Sequence, residues 1–261
     1  MLISIVTVCF NAEKTIQATM ESVCAQKHCD FEYLIVDGKS TDNTVDIINH
    51  ISEKIENNRI QFKLISEKDT GIYNAMNKAI DIAKGDWILY MNSGDRFCSN
   101  EVLEEIAEKL TFDYDFIYGN AIYCDKDKSY IVKGKDITYI RKSMPFCHQA
   151  IFAQKKILKR YRFNEKYKIC ADYDLFCRAY LDNRKYLYMD YDICVYNLDG
   201  FSGNNVKKCI QERTQIRKEK GFIGNIHLCF VNEYFRSVAS EIIKRMVPQR
   251  VVCWIRTLKY K

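Results

Sequence analysis

Three acidic residues follow predicted β-strands in the first hundred residues of the chain. Asp37 ends the apolar run FEYLIVD, Asp69 follows a run that closes at Ser66, and Asp95 comes shortly after DWILYM. Parallel strands present their carboxyl ends along one edge of a sheet, so we expect these three carboxylates to border one crevice. Carboxylates at a common rim repel each other unless they meet hydrogen-bond donors or a divalent cation. The pattern therefore indicates a site for a ligand that carries such donors, or for a bound cation.

A second pair of carboxylates, Asp172 and Asp174, lies at the predicted start of a helix. Residues two apart on a helix point in different directions, so only one of the two can face a given site. A positioned carboxylate can remove a proton from a hydroxyl, and an acid in the same place can also cap a helix. The residues alone leave both interpretations open.

The order of elements that would position these acids is an alternation of strands and helices through the first 110 residues. Runs typical of strands cover 2–10, 31–37, 61–66 and 86–91, and the first of them is apolar enough for a strand buried on both faces. Amphipathic stretches between them predict helices. This order predicts an α/β fold with a doubly wound, mostly parallel central sheet.

After residue 112 the pattern changes. We expect meander strands over 114–124 and 130–132, a helix over 171–181 and a strand over 185–196, and from 204 onward the chain is helical in character and increasingly basic.

Composition and missing motifs exclude several classes of protein. With 48% hydrophobic and 28% charged residues, the chain is not disordered or fibrous. Neither GxGxxG nor GxxxxGK[ST] occurs, so the usual dinucleotide and P-loop phosphate sites are missing. The 12 cysteines form no CxxC pair and the 4 histidines are dispersed, which favours reduced thiols over disulfides or structural zinc. With no apolar run of roughly 18–20 residues and no signal-peptide features, a cytoplasmic location is expected.

Charge is divided unevenly along the chain. Residues 1–120 hold 11 basic and 20 acidic residues, a net charge of −9, and the remainder holds 29 basic and 14 acidic residues, a net charge of +15. Residues 236–261 combine seven Lys and Arg with one acid, and Trp254 and aliphatic residues lie between them. Such a stretch suits the surface of an anionic membrane, although a helix packed on the domain with a solvated basic face has the same pattern. No nucleic-acid-binding module accompanies the charge, so we expect no nucleic-acid partner.

Five fragments in a fixed order resemble the signatures of glycosyltransferase family 2. They are SIVTVCFN at 4–11, EYLIVDGKSTDNT at 32–44, EKDTGIYNAMNKAI at 67–80, GDWILYMNSGD at 85–95 and ADYDL at 171–175. The resemblance implies a GT-A fold and an inverting transferase that uses a nucleotide-activated sugar. It does not extend over roughly the last 50 residues. It also departs from the family at one point, since NSGD stands where the family commonly has Asp-x-Asp, which leaves one carboxylate for Mn²⁺ or Mg²⁺.

The resemblance also implies roles for individual residues. Asp172 corresponds to the catalytic base, with Asp174 as the alternative, and Asp95 corresponds to the metal ligand. His148 and Gln149 would border the acceptor or the diphosphate. The nucleotide of the donor would contact Thr7, Phe10, Asn11, Asp37, Asp69, Asn92 and Ser93.

On this basis we expect a transferase of the O-antigen type, at the inner face of the cell membrane. It would move galactose or glucose from a UDP-sugar, in β-1,3 linkage, to an N-acetylhexosamine on a polyprenyl diphosphate. Residues 1–110 would form the nucleotide-sugar-binding half, 111–203 the acceptor-binding and catalytic half, and 204–261 a helical basic extension. The alternatives are a transferase to polyprenyl monophosphate, a sugar nucleotidyltransferase, and a non-catalytic membrane-associated assembly protein on the same scaffold. The sequence does not predict an oligomeric state.

Overall fold

The computed structural model describes residues 1–27, 30–55, 60–125, 128–198 and 205–224. In these ranges the strands are β1 (Ile3–Cys9), β2 (Phe31–Asp37), β3 (Gln61–Ser66), β4 (Trp87–Tyr90), β5 (Arg96–Phe97), β6 (Phe116–Asp125), β7 (Lys128–Val132), β8 (Ile151–Gln154) and β9 (Tyr186–Asn197). The helices are α1 (Ile16–Cys24), α2 (Thr44–Ile55), α3 (Ile72–Ile82), α4 (Val102–Ala107), α5 (Lys155–Tyr161), α6 (Ala171–Leu181) and α7 (Val206–Glu219). Two 3₁₀ helices cover Ile137–Arg141 and His148–Ala150.

The strands form one sheet in the order β3-β2-β1-β4-β8-β6-β9-β5, with β7 beside β6. The first four are parallel to one another, β8 runs antiparallel to β4, and β6 and β9 form a further parallel pair. The predicted α/β architecture and the parallel first half are therefore confirmed. The second half is mixed in direction, because β8 reverses the chain between β4 and β6.

The core lies on both faces of the sheet. All seven residues of β1 are buried, and they alternate between two apolar clusters. Val6 and Val8 face the cluster that includes α3 and α6, while Ile3 and Ile5 face the cluster that includes α1 and α2. This two-residue period is the expected behaviour of a central strand. It fixes which side chains are available at the edge where the strand ends.

The predicted boundaries hold for some elements and not for others. Gln61–Ser66 and Ala171–Leu181 begin and end where the sequence predicts, whereas β5, β8 and α5 have no counterpart in the prediction. Of the predicted helical extension over 204–261, the described part contains α7, and the basic stretch 236–261 lies outside the described residues. None of the helices in the described ranges combines the length and apolar character that crossing a membrane requires.

Candidate active site

The carboxyl ends of the parallel strands lie in register, as the sequence predicts. Cys9 ends β1 opposite Asp37 at the end of β2, and Asp37 in turn lies opposite Ser66 at the end of β3. Asp69 follows β3 and Asp95 follows β4. All three predicted acids therefore belong to the same edge of the sheet.

Asp37 is completely buried, and its carboxylate receives hydrogen bonds from several groups. Oδ2 accepts from the backbone N–H of Ser40 at 3.0 Å and from Ser66 Oγ at 2.6 Å. Oδ1 accepts from Ser40 Oγ and, weakly, from Cys9 Sγ at 3.7 Å. The sequence analysis did not select Cys9, Ser40 or Ser66 as site residues. Cys9 and Ser66 could have been predicted, because they end the two strands that flank β2. Asp37 therefore stabilises the loop that follows β2, at the position where the sequence predicts contact with the nucleotide.

Two of the predicted nucleotide residues lie against Gly38, and a third contacts the loop that follows it. A Cβ on this glycine would lie 2.6 Å from Asp69 Oδ2 and 3.3 Å from the ring of Phe10, so both side chains approach the backbone closely. Phe10 is 61% exposed, which leaves its ring open to a ligand. Asn11 adopts a left-handed conformation (φ 48°), and its Oδ1 accepts a hydrogen bond from Thr41 N at 2.9 Å. These residues form one surface beside Asp37.

Two of the predicted contacts are engaged with the protein itself. The Thr7 hydroxyl is fully buried, donates to the Met91 carbonyl at 2.7 Å and lies 3.0 Å from Tyr33 Oη. This conformation gives Thr7 a packing role in the sheet, and its contact with a nucleotide stays a prediction. Asp69 also caps a turn, since its Oδ1 accepts from Gly71 N at 2.9 Å.

Asp95 lies in a tight turn after β4, closed by its own N–H bonded to the Asn92 carbonyl at 3.0 Å. The side chain is buried, and its Oδ1 accepts from Asn197 N at 3.2 Å. Burial raises the pKa of Asp95 to about 7, and the hydrogen bonds from Asn197 and from the Gln149 side chain oppose that shift. A carboxylate of this kind gains from a cation that would compensate its charge.

The same turn carries a second oxygen suited to a cation. Asn92 Oδ1 is buried and accepts no hydrogen bond within the described residues. Ser93 Oγ lies 2.9 Å from Thr15 Oγ1 and so ties the turn to the region just before α1. In the described ranges, no group of three or more His, Cys, Asp and Glu side chains forms a metal site. Asp95 and Asn92 are nevertheless oxygen ligands of the type that Mn²⁺ and Mg²⁺ accept, and a diphosphate can supply further oxygens.

Asp172 lies in the first turn of α6, where its carboxylate is fixed from several sides. Oδ1 accepts from Tyr173 N at 2.8 Å and contacts Tyr73 Oη at 3.2 Å, and Oδ2 lies 3.2 Å from His148 Nδ1. Burial, followed by the charge of Asp172, raises the pKa of Tyr73 well above its ordinary value, so the phenol stays protonated as a donor. The Ile169 carbonyl lies 2.5 Å from the same Tyr73 hydroxyl, so the single phenol proton is shared between this carbonyl and Asp172.

One short segment connects Asp172 with Asp95. His148 and Gln149 are neighbours in the 3₁₀ helix that precedes β8; His148 contacts Asp172 and Gln149 contacts Asp95. The structure therefore brings together four residues that the sequence predicts for catalysis, the metal and the acceptor or diphosphate. They are linked because His148 and Gln149 are consecutive residues of this helix.

Asp174 occupies a different environment from Asp172. Its side chain is 1% exposed, with Oδ2 2.8 Å from Arg178 Nε and Oδ1 3.0 Å from Lys220 Nζ. The two carboxylates diverge, as their spacing predicts, and Asp174 points away from His148 into an ion-paired interior. These contacts are those of a structural residue and give no support to the alternative base.

Glu212 of α7 is a site-supporting residue that sequence analysis missed. Its carboxylate accepts from the backbone N–H groups of Lys168, Ile169 and Cys170, at 2.8, 2.8 and 3.0 Å. These residues lead directly into α6 and Asp172. No local signal in the sequence links position 212 to this segment, because the contact depends on how α7 packs.

Comparison with protein families finds one match that covers most of the chain. Residues 4–184 match the model of glycosyl transferase family 2. A PGL/p-HBAD biosynthesis glycosyltransferase of Mycobacterium tuberculosis is 28% identical over 98% of each chain. The Escherichia coli enzyme named UDP-Glc:alpha-D-GlcNAc-diphosphoundecaprenol beta-1,3-glucosyltransferase WfaP is 35% identical over 48% of each chain.

Solved structures of other proteins share the fold of this chain. TarS 1–349 of S. aureus in complex with UDP aligns over 98% of this chain and 78% of its own, with a TM-score of 0.65 and 19% identity. The mannosyltransferase PcManGT of Pyrobaculum calidifontis, in complex with GDP-Man and Mn²⁺, aligns over the same shares with a TM-score of 0.66 and 13% identity. At these identities the similarity establishes the fold, and it confirms the predicted GT-A class.

Proposed function

This chain belongs to glycosyl transferase family 2 and is a glycosyltransferase, and from that premise we propose that it is an inverting enzyme which moves galactose or glucose from a UDP-sugar. The proposed acceptor is an N-acetylhexosamine carried on a polyprenyl diphosphate, and the proposed linkage is β-1,3. The name of the E. coli relative WfaP supports this donor and acceptor. The UDP complex of TarS supports the nucleotide.

The observation that carries the proposal is the connection between Asp172 and Asp95. Asp172 Oδ2 contacts His148, and the next residue, Gln149, contacts Asp95. A base for the acceptor and an anchor for the leaving diphosphate must lie on either side of the sugar that is transferred. Two carboxylates held by adjacent residues of one 3₁₀ helix support that arrangement.

In the proposed reaction, Asp172 takes the proton of the acceptor hydroxyl as its oxygen attacks the anomeric carbon. The bond from that carbon to the UDP oxygen breaks, UDP leaves on the opposite face, and the anomeric configuration inverts. A Mn²⁺ or Mg²⁺ ion held by Asp95 and Asn92 would neutralise the charge that develops on the diphosphate. Asp37, Asp69, Phe10 and Asn11 would hold the nucleoside at the far end of the sheet edge, with the exposed Phe10 ring available to a base.

Replacing Asp172 by Asn tests the base. We expect D172N to lower kcat by about 10²- to 10⁴-fold and to leave the Kd for UDP nearly unchanged, measured by sugar transfer to a synthetic lipid-diphosphate N-acetylglucosamine and by calorimetry. D174N is the matched control: it breaks two buried ion pairs, so it should lower thermal stability while the folded protein keeps its kcat. Retention of transfer by D172N, or loss of UDP binding, would contradict the assignment.

One observation favours a non-catalytic assembly protein as the second candidate. The turn at 92–95 has a single carboxylate where the family commonly has two. Transfer measured over a panel of UDP-hexoses separates the two functions: turnover with any of them excludes the non-catalytic one. Absence of turnover, together with intact UDP binding, would support it. A polyprenyl monophosphate acceptor is tested in the same panel.

The proposed site of action is the inner face of the cell membrane, reached through the basic stretch 236–261 outside the described residues. Its seven positive charges and Trp254 suit an anionic surface. Sedimentation with phosphatidylglycerol vesicles should deplete the full chain from solution, less so at high salt and less so for K244Q/R245Q. Equal binding to phosphatidylcholine vesicles would contradict an electrostatic contact.

A further inference from the structure

His148 is held in a rigid aromatic setting. Its ring stacks on Phe163 (centroids 5.8 Å apart, interplanar angle 23°) and meets Tyr90 and Phe176 edge to face at 5.5 and 6.0 Å. The side chain is 10% exposed. Rings packed in this way lose the freedom to rotate about χ2, so the direction of the Nδ1–H bond is set by the core.

That bond is aimed at Asp172. His148 Nδ1 lies 3.2 Å from Asp172 Oδ2, and because an ionised carboxylate only accepts hydrogen bonds, Nδ1 carries the proton. A carboxylate offers about four lone-pair positions. Three of them face Tyr173 N, the Tyr73 hydroxyl and His148. The remaining position is on Oδ2, the oxygen that His148 contacts.

We propose that His148 is a positioning residue, which orients Oδ2 of Asp172 so that its remaining lone pair receives the proton of the acceptor hydroxyl. This inference rests on the proposed function, in which Asp172 is the base. It assigns the Nδ1 side of His148 to Asp172 and leaves Nε2 to the acceptor, so that His148 makes no contact with the diphosphate of the donor. General-base catalysis depends on such alignment, and a misplacement of about 1 Å can cost on the order of 10²-fold in rate.

Three substitutions at one position test the role of Nδ1. In H148N the amide nitrogen falls near the place of Nδ1, in H148Q it falls near Nε2, and H148F keeps an aromatic ring without a donor. We expect H148F and H148Q to lower kcat by about 10- to 100-fold, with the Kd for UDP and the KM for the donor unchanged. H148N should restore most of the lost kcat. Thermal melts identify any variant that fails to fold.

The double variant H148F/D172N separates positioning from an independent role. If His148 acts through Asp172, the double variant should have the kcat of D172N alone, since the two effects are not additive. Additive losses, equal losses in H148N and H148Q, or a raised KM for the donor would each overturn the proposal. A D172N variant with normal transfer would instead overturn the proposed base itself, so the two failures are distinguishable.

Discussion

At the scale of single residues, Asp37 has two tasks that compete for the same oxygens. Ser40 and Ser66 donate to it through one backbone N–H and two hydroxyls, and Cys9 adds a weak bond. A nucleotide base that donates to Asp37 must therefore displace a hydroxyl. Serine hydroxyls can rotate to do this, whereas the backbone N–H of Ser40 cannot.

Asp37→Asn separates these tasks. The amide keeps one oxygen for Ser40 N, and its NH₂ can donate to the Ser40 hydroxyl, so we expect stability to fall by no more than about 1 kcal/mol. The position offered to the base becomes a donor, and the affinity for UDP should fall by at least about tenfold. Urea unfolding and calorimetry measure the two effects.

Asp37→Ala is the control for the structural task. It leaves buried donors without an acceptor and should cost about 2–3 kcal/mol of stability. If D37N binds UDP as tightly as the wild type, Asp37 only holds its loop.

At the scale of elements, local patterning explains most of the first half of the fold. The apolar runs of β1 and β2, the alternation in β3 and the period of 3.6 residues in the amphipathic α3 are all visible in the sequence. The elements that were missed depend on distant partners. β5 has two residues and pairs with β9, about a hundred residues further along the chain. β8 has four residues and lies between β4 and β6, running antiparallel to both. Segments this short have too few residues for a hydrophobic periodicity to be detected.

α7 packs against α6 and the segment that leads into it, although its sequence reads as the start of a basic extension. Glu212 binds three successive backbone N–H groups ahead of α6, and Lys220 pairs with Asp174 inside α6. Glu212→Ala should therefore lower the free energy of unfolding by about 2–3 kcal/mol and lower kcat, because the first turn of α6 carries Asp172.

Glu212→Gln keeps one acceptor oxygen and should have an intermediate effect. Gln211→Ala, at an exposed neighbouring position on the same helix, is the control and should change neither quantity. Activity and urea unfolding of the three variants measure the role of the anchor. An E212A variant that is destabilised but fully active would show that α6 keeps its start without α7.

At the scale of the whole molecule, the site is partly predictable and partly not. Topology alone places Asp37, Asp69 and Asp95 at one edge, since parallel strands share the direction in which they end. Thr7 shows the limit of motif matching, because its buried hydroxyl already bonds to Met91 and lies beside Tyr33, so its contact with a nucleotide stays a prediction. The ion pairs of Asp174 and the contact between His148 and Asp172 arise from tertiary packing of α6 and β8, which no local pattern encodes.

Asp95 links the site to the stability of the whole fold. Its pKa is about 7 in the folded protein against an ordinary value of 3.8, mainly because it is buried. Between these two pH values the folded state holds a proton on Asp95 that the unfolded state has lost. The contribution of Asp95 to stability therefore decreases as pH rises from about 4 to about 7 and is constant on either side. Asp95→Asn removes this dependence.

We therefore expect D95N to become more stable relative to the wild type as pH rises from about 4 to about 7. Urea unfolding in the presence of EDTA measures this difference in unfolding free energy. The total is on the order of 4 kcal/mol. Adding Mn²⁺ with UDP should stabilise the wild type and leave D95N unchanged, since ligands that bind only the folded state raise its stability. A pH-independent difference would show that Asp95 is ionised in the free protein. In that case burial does not raise the pKa of Asp95, and a bound cation is not required to compensate a buried charge.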